Sequence, residues 1–316
     1  VSCHPSCQCS DAENSLLGGQ VLLKRRARSI NSAQFVSKAQ CNDALRVFTE
    51  LSELDEADVL AHTGRGDCLR MLEDETGAFD CYMAALEIDP QDARALYGCA
   101  MVLKGQQRMH DAIDYLERAL KAEPTFDEAR VLLATVYTDL GTCLKVGGRT
   151  DEGMLCYTKA TAVDGSYAAA FYNLGVVCGE RGEAQQALLY YAKAVELQPT
   201  YPEAHCNIGV IHKGLGQLSD AVAAYEAALA ASPNFVLAKN NLAVALTDLG
   251  TAAKTAGDQK AAVRHYKRAL FFNSAHADAY YNLGVAYMEQ QKIDKSILNY
   301  ELAVQFNPAH FEACNN

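Results

Sequence analysis

The sequence predicts an all-α protein, a right-handed superhelical solenoid of about eight helix-turn-helix repeats. Three observations predict it: proline returns in a fixed phase, alanine returns at two fixed places before it, and a large residue stands between the alanines. The phase-marking prolines are Pro90, Pro124, Pro199, Pro233 and Pro308, and the gap is 34 residues in Pro90–Pro124 and in Pro199–Pro233. Gly165 and Ser274 take the place of the proline in two further repeats.

The residues before each marker explain why two helices should pack as a pair. One alanine set lies twelve residues before the marker, at Ala78, Ala112, Ala187, Ala221 and Ala262, and a second lies five before it, at Ala85, Ala119, Ala160, Ala194, Ala228, Ala269 and Ala303. Between them stands Tyr82, Leu116, Tyr157, Tyr191, Tyr225, Tyr266 or Tyr300. Small residues let helices approach closely, the large residue fills the space, and proline ends the second helix. The pattern resembles the tetratricopeptide repeat.

This period divides the chain into three parts. We expect a disordered segment over 1–20, the solenoid over 21–310, and the start of a ninth, truncated repeat over 311–316. The eight repeats are predicted at 25–58, 59–92, 93–126, 127–167, 168–201, 202–235, 236–276 and 277–310. Since the sequence stops within a predicted first helix, AHFEACNN, we expect the native protein to continue beyond Asn316.

The first repeat is the weakest match. It keeps Ala44, Phe48 and Leu51 in its second helix but has KRRARSIN where the first helix should begin. Lys24, Arg25, Arg26 and Arg28 form either a nuclear-import signal or a solvated helix face.

Two repeats are longer by seven residues and match each other. The segment LATVYTDLGTCLKVGG (133–148) aligns with LAVALTDLGTAAKTAG (242–257) at an offset of 109. Seven residues make nearly two helical turns, so the extension should lengthen a first helix while its buried face stays in phase.

Composition excludes several classes of function. The net charge of −11 opposes binding to a phosphate backbone, so nucleic acid is not an expected partner. No apolar run approaches the roughly 20 residues that span a bilayer, and no secretory signal precedes the repeats. The chain starts without Met, which indicates an incomplete or processed start. We expect a soluble intracellular protein without a membrane partner.

Nine of the twelve cysteines are scattered singly through helical pattern, where cysteine acts as a small hydrophobe. The exception is SCHPSCQC, in which Cys3, His4, Cys7 and Cys9 invite a zinc interpretation. A zinc site normally needs two separated ligand pairs, and no second pair lies nearby. The sequence therefore favours a disordered tail, and no metal site is predicted.

No catalytic motif occurs in the repeats. A nucleotide-binding GxGxxG, a phosphate-binding GxxxxGK[ST], an HExxH and a GxSxG elbow are all absent. His62 and His205 fall at the fourth place of their repeats and His212 at the eleventh, where packing explains them better than catalysis. The chain therefore reads as a binding module, with no catalytic residue and no cofactor of its own.

An asparagine recurs at the sixth place of successive first helices. The five are Asn173, Asn207, Asn241, Asn282 and Asn316, whereas Gly64, Gly98 and Leu132 stand there in three earlier repeats. Asparagine is an indifferent helix former, so helix propensity does not explain why it recurs at this place. First helices line the concave side of such a superhelix, and an amide can both donate to and accept from a peptide backbone. The row therefore predicts a groove for extended peptides. The alternative is that asparagine is simply common at this place in repeats of this kind.

Several segments closely resemble the repeats of plant-type SPINDLY proteins, a family of nucleocytoplasmic protein O-glycosyltransferases. These are VYTDLGTCLKVGG, AAAFYNLGVV, EAHCNIGVIHK, SPNFVLAKNNLAVALTDLGT, ADAYYNLGVAY and FNPAHFEACNN. Their order and the two long repeats match as well, over about 59–316. The resemblance implies a parent enzyme that glycosylates Ser or Thr with GDP-fucose, or with UDP-N-acetylglucosamine (UDP-GlcNAc) in the older naming. It also implies a nuclear and cytoplasmic location and a link to gibberellin signalling.

The resemblance assigns a role to the asparagine row. In related transferases such a row holds acceptor proteins, and the five asparagines match it position by position, while the residues that bind the sugar nucleotide have no counterpart here. The leading hypothesis is an arm that binds flexible Ser- and Thr-containing segments of acceptor proteins. A second is a stand-alone adaptor or co-chaperone that grips a carboxylate, for which Lys213 and Lys239 are candidates. A third is self-association into a homo-oligomer.

Overall fold

A computed structural model describes residues 21–22, 24–27, 29 and 38–315. Secondary structure in this part of the chain is helical, without a strand, which confirms the all-α prediction. The helices with defined bounds are α1 (Lys38–Leu54), α2 (Val59–Met71), α3 (Glu75–Ile88), α4 (Ala93–Gly105), α5 (Met109–Ala122), α6 (Asp127–Val146), α7 (Thr150–Val163), α8 (Ala168–Glu180), α9 (Ala184–Leu197), α10 (Pro202–Gly214), α11 (Leu218–Ala231), α12 (Val236–Thr255), α13 (Gln259–Phe272), α14 (Ala277–Glu289), α15 (Ile293–Phe306) and α16 (Phe311–Asn315).

The described residues form two compact halves, which divide between Gly165 and Ser166. The N-terminal half contains α1 to α7 and the C-terminal half contains α8 to α16. In each half, a first helix packs against the second helix that follows it, and each second helix packs against the next first helix. From α2 onward the even-numbered helices are first helices and the odd-numbered ones are second helices.

A residue in the left-handed region joins the two helices of each pair. Four of these residues are glycines, Gly148, Gly182, Gly216 and Gly257, and three are Glu73, Gln107 and Gln291. The φ of Gly216 is +74° and that of Gln107 is +62°. Since an L side chain pays about 1 kcal/mol or more in this region, the helix packing holds the three non-glycine residues there.

In most repeats the core is a tyrosine ring packed on a glycine, whereas Leu116 takes the place of the ring in the repeat 93–126. Tyr225 of α11 is 1% exposed, and a Cβ added to Gly209 of α10 would lie 2.6 Å from its ring atom Cε1. Alanines such as Ala221 and Ala228 are fully buried on either side of the tyrosine. The prediction that alanines allow close approach around a large residue is therefore confirmed in this repeat, and the glycine is a further part of the contact.

The two long repeats do lengthen their first helices, as predicted. Helices α6 and α12 have 20 residues each, against 13 in α8, α10 and α14. The first part of α12 joins the core of α11 through Leu242 and Leu246, whereas Ala253 near its end packs on the core of α13 and α14. One long helix thus belongs to two successive packing layers.

The first repeat packs in spite of its weak pattern. Its residues Ala44, Phe48 and Leu51 are buried in one cluster with Ala27, and residues 24–27 are helical. Lys24 lies between two carboxylates, with Nζ 2.8 Å from Asp55 Oδ2. Arg28, like the segment 1–20, lies outside the described residues.

Two glycines of α10 test the ring contact. We expect Gly209→Ala to lower the free energy of unfolding by about 1 to 3 kcal/mol, because the new methyl group overlaps the Tyr225 ring. Gly214→Ala is the matched control, since no atom lies within 4 Å of a Cβ there, and it should be neutral or stabilise by up to about 1 kcal/mol through helix propensity. Urea unfolding followed by circular dichroism measures both; equal effects would contradict the packing assignment.

Candidate peptide-binding surface

Four asparagines define the candidate site, which we call the amide row. Asn173, Asn207, Asn241 and Asn282 lie at equivalent places on the successive first helices α8, α10, α12 and α14 of the C-terminal half. Each is half-buried, so each side chain both contacts the protein and remains accessible. The fifth predicted member, Asn316, lies outside the described residues.

At Gly64, Gly98 and Asn207 the sixth place of the first helix faces the large residue sixteen positions earlier, on the preceding second helix. In the N-terminal half, a Cβ at Gly64 would lie 2.5 Å from the Phe48 ring, and one at Gly98 would overlap the Tyr82 ring. The rings occupy the space that a side chain would need, so only glycine fits there. The absence of asparagine from these two repeats therefore has a steric cause.

In the C-terminal half the same place holds an amide, and at Asn207 this amide meets two hydroxyl groups. Asn207 Nδ2 donates to Tyr191 Oη at 3.2 Å and to Tyr172 Oη at 3.4 Å. Tyr191 belongs to the preceding second helix and Tyr172 to the preceding first helix. The amide thus ties one repeat to the one before it, and part of its role is structural.

These bonds leave hydrogen-bonding capacity on the row. Both amide hydrogens of Asn207 are directed at tyrosines, but its carbonyl oxygen Oδ1 has two lone pairs, and no described residue of the C-terminal half donates to it. Asn241 Nδ2 donates only to Cys206 Sγ, at 3.6 Å, and sulfur is a weak acceptor. The row can therefore accept backbone N–H groups, and at Asn241 it can also donate.

A polar pocket of about 420 Å³ adjoins the last described member of the row. Asn282 lines it together with Thr247, Tyr281 and the imidazole of His276. Burial lowers the pKa of His276, which favours the neutral imidazole. The wall beside Asn282 thus offers hydroxyl and imidazole groups next to the amide.

His310 closes one side of this pocket. Its side chain is 9% exposed and stands between two carboxylates, with Nε2 3.5 Å from Asp278 Oδ1 and Nδ1 3.4 Å from Glu312 Oε2. The ring also packs on Tyr281, with 4.7 Å between centroids. His310 therefore acts as a support for this wall.

Ion pairs join neighbouring first helices in the C-terminal half. Lys213 Nζ lies 3.4 Å from Asp248 Oδ2, and Lys254 Nζ lies 2.9 Å from Glu289 Oε1. In both pairs the acid follows the lysine by 35 residues, so the pairs recur with the repeat. The candidate Lys213 is therefore already paired with a carboxylate, while the second candidate, Lys239, is half-buried on α12.

The three histidines singled out in the sequence have local partners. His62 Nε2 donates to the Glu56 carbonyl oxygen, and His205 Nε2 donates to that of Pro199, both at 3.0 Å. His212 Nδ1 donates to Gln217 Oε1 at 2.7 Å. The two fourth-place histidines thus repeat one contact, six residues back, that anchors the start of a first helix.

Metal and membrane sites can be assessed only in the described residues. There, no group of three or more His, Cys, Asp or Glu residues could hold a metal ion, and no helix is long and apolar enough to cross a bilayer. All nine cysteines of this part are free thiols, and seven of them are buried. Cys3, His4, Cys7 and Cys9 lie outside the described residues, so their role stays a prediction.

Comparison with protein families identifies the class of protein. Models described as tetratricopeptide or TPR repeats match residues 35–93, 93–126, 177–216, 201–270, 255–291 and 277–310. Together with the helix pairs described above, these matches make the chain a tetratricopeptide-repeat protein.

Within that class the repeats are similar to those of SPINDLY proteins. The chain is 46% identical over 139 residues to the probable UDP-N-acetylglucosamine–peptide N-acetylglucosaminyltransferase SPINDLY of Hordeum vulgare, and 44% identical over 162 residues to the protein of the same description from Oryza sativa subsp. japonica. These alignments cover 44% and 50% of this chain but only 15% and 18% of the two relatives.

A solved structure shows the same fold. The C-terminal part of a TPR repeat-containing protein from Cytophaga hutchinsonii has a TM-score of 0.51 and 14% identity, and the match covers 80% of this chain and 98% of that one.

The tyrosine partners of the amide row were not foreseen from the sequence. Tyr191 was identified only as a residue that fills space, and Tyr172 was not singled out at all. A signal did exist: a tyrosine directly precedes the asparagine in both YNLGV segments, Tyr172–Val176 and Tyr281–Val285.

Alkaline titration should detect the buried tyrosines around the row. Burial raises the pKa of Tyr191 and of Tyr172, and it raises the pKa of Tyr201 to about 12. An unfolded tyrosine has a pKa of about 10, so the unfolded chain releases these protons first, and stability should fall as the pH rises above about 10. Absorbance of tyrosinate and circular dichroism against pH measure both events.

The control for this titration is Tyr191→Phe, which removes one titrating group and should reduce the alkaline loss of stability. Ionisation of all tyrosines near pH 10, with the helices intact, would contradict the burial of these rings.

Proposed function

We propose that this chain is the acceptor-binding arm of a SPINDLY-like protein Ser/Thr O-glycosyltransferase. In this proposal the amide row holds extended segments of acceptor proteins. The observation that carries it is the equivalent placement of four half-buried asparagines on four successive first helices, in a chain whose repeats are similar to those of SPINDLY proteins.

The spacing of the row suits an extended peptide. Packed helices lie about 8 to 10 Å apart, and an extended chain rises about 3.3 Å per residue, so the row offers about one amide for every three peptide residues. Asn207 presents an acceptor and Asn241 presents both a donor and an acceptor, as described above. Such contacts read the backbone more than the side chains, so they favour flexible segments over folded ones.

Binding on the row would assist the reaction by positioning alone. An acceptor held close to a transferase site has a raised effective concentration there, which increases the rate without any new chemistry. The donor in this proposal is GDP-fucose or UDP-GlcNAc, and it would bind outside this chain. A nuclear and cytoplasmic location and a role in gibberellin signalling belong to the same proposal.

The alternative of a carboxylate-gripping adaptor gains no support from the lysines. Lys213 is engaged with Asp248, and the second candidate, Lys239, is half-buried on α12. A carboxylate would have to displace Asp248 to reach Lys213, which favours the backbone-reading row over a carboxylate grip.

The test replaces three amides in the complete enzyme that contains these repeats. We expect Asn207→Ala, Asn241→Ala and Asn282→Ala together to lower kcat/KM for protein acceptors by about tenfold or more, because several contacts with the bound segment are lost at once. Hydrolysis of the donor sugar nucleotide should not change. Asn234→Ala, an exposed asparagine in the loop before α12, is the control for the chemistry of the substitution.

A further variant separates peptide binding from repeat packing. Tyr191→Phe removes a hydroxyl partner of Asn207 but keeps the amide. It should therefore lower the free energy of unfolding and leave glycosylation unchanged. If the triple variant glycosylates proteins as well as the unaltered enzyme, or if Tyr191→Phe impairs the enzyme equally, the amide row does not bind acceptors.

A further inference from the structure

Helix α13 carries an unusual charge for this protein. Its sequence, QKAAVRHYKRALFF, has four Lys or Arg residues and no Asp or Glu, whereas each of the other second helices with defined bounds has at least one carboxylate. The whole chain has a net charge of −11, so this helix is a basic element in an acidic protein.

Three of the basic residues share one face with a phenylalanine. Lys260, Arg264, Lys267 and Phe271 follow one another at intervals of four, three and four residues, which places them along one side of the helix. All four are exposed, and Phe271 is 81% exposed. We call this set the basic stripe; it is about 16 Å long at 1.5 Å per residue.

The charge of the stripe is not neutralised by the protein. Lys260, Arg264 and Lys267 form no ion pair with any residue that the structure describes, whereas Arg268 on the flank pairs with Glu226 of α11. An exposed cation on a second helix can pair locally, as Lys193 Nζ does with Glu196 Oε1 at 2.8 Å. The stripe therefore keeps its three positive charges free.

The helix that carries the stripe is held in place by its buried face. Ala262, Tyr266 and Ala269 on the opposite side of α13 are fully buried, so the helix cannot rotate without losing its core. The Phe271 ring meets the Phe272 ring edge to face, with 5.1 Å between centroids, and Phe272 packs against the core. A partner would thus find the helix face already formed, which reduces the entropy lost on binding.

We propose that the basic stripe docks an acidic protein segment with an apolar residue at one end. Three turns of a helix, or about five residues of an extended chain, would match its length. A protein segment fits better than nucleic acid because the acidic chain repels a long polyanion and Phe271 requires an apolar contact. A membrane fits poorly because a single exposed ring gives little area for insertion. The stripe lies on a second helix and uses no residue of the amide row.

The test uses the whole chain and a labelled synthetic peptide. The peptide has about 12 residues, with Glu at i, i+4 and i+7 and Leu at i+11, and a scrambled peptide of the same composition serves as its reference. We expect saturable binding by fluorescence anisotropy that weakens with added salt. Arg264→Glu with Lys267→Glu should raise the Kd by about tenfold or more, and Phe271→Ala should raise it by about fivefold.

The matched control is Lys292→Glu with Lys295→Glu at the start of α15, which changes the net charge equally and should leave the Kd within about twofold. Arg264→Gln with Lys267→Gln repeats the test without reversing charge. The proposal is overturned if both charge-reversed pairs weaken binding equally, or if the scrambled peptide binds as tightly. Absence of saturable binding, or tighter binding to phosphatidylserine vesicles than to the peptide, also overturns it.

Discussion

The contact between a second-helix ring and the glycine sixteen residues before it is the constraint on which this structure depends. It recurs at Gly175 with Tyr191, Gly209 with Tyr225 and Gly284 with Tyr300. In every case the ring takes the place of a missing side chain, so the two helices approach until the ring meets backbone. That approach fixes the distance between the helices of a pair, and with it the place where the next pair can begin.

The same ring also reaches the following repeat, which couples packing to the candidate site. Where the ring itself fills the sixth place, as at Gly98, no side chain can stand there. Where its hydroxyl ends short of the next helix, as at Tyr191, an amide bridges the gap. The amide row is therefore a product of repeat packing as well as a candidate surface for partners. A change at Asn207 acts on both, which is why stability and binding have to be measured separately.

The sequence was sufficient to predict the features that depend on the spacing of residues. It was insufficient to predict those that depend on the direction in which a side chain points. Spacing of small and large residues reports burial, so the helix pairs and the lengthened α6 and α12 could be predicted. Spacing does not report where a hydroxyl points, so the bonds from Asn207 to two tyrosines were missed. Nor does it reveal that Gln107 adopts positive φ, because the modest local strain is outweighed by packing on both sides.

The two packing layers shared by α12 have a consequence for how such arrays can change in length. Within this helix, Asn241-Leu242-Ala243 and Asp248-Leu249-Gly250 stand seven residues apart on the same face, and Gly250 meets the Tyr266 ring as an ordinary eighth-place glycine does. Removing 243–249 would join Leu242 to Gly250 and leave a repeat of the common length. A change of seven residues within the helix is thus nearly silent to the core, whereas a change of one or two residues would turn the rest of the helix out of phase. Seven residues are therefore a length by which a first helix of this array can grow without repacking its core.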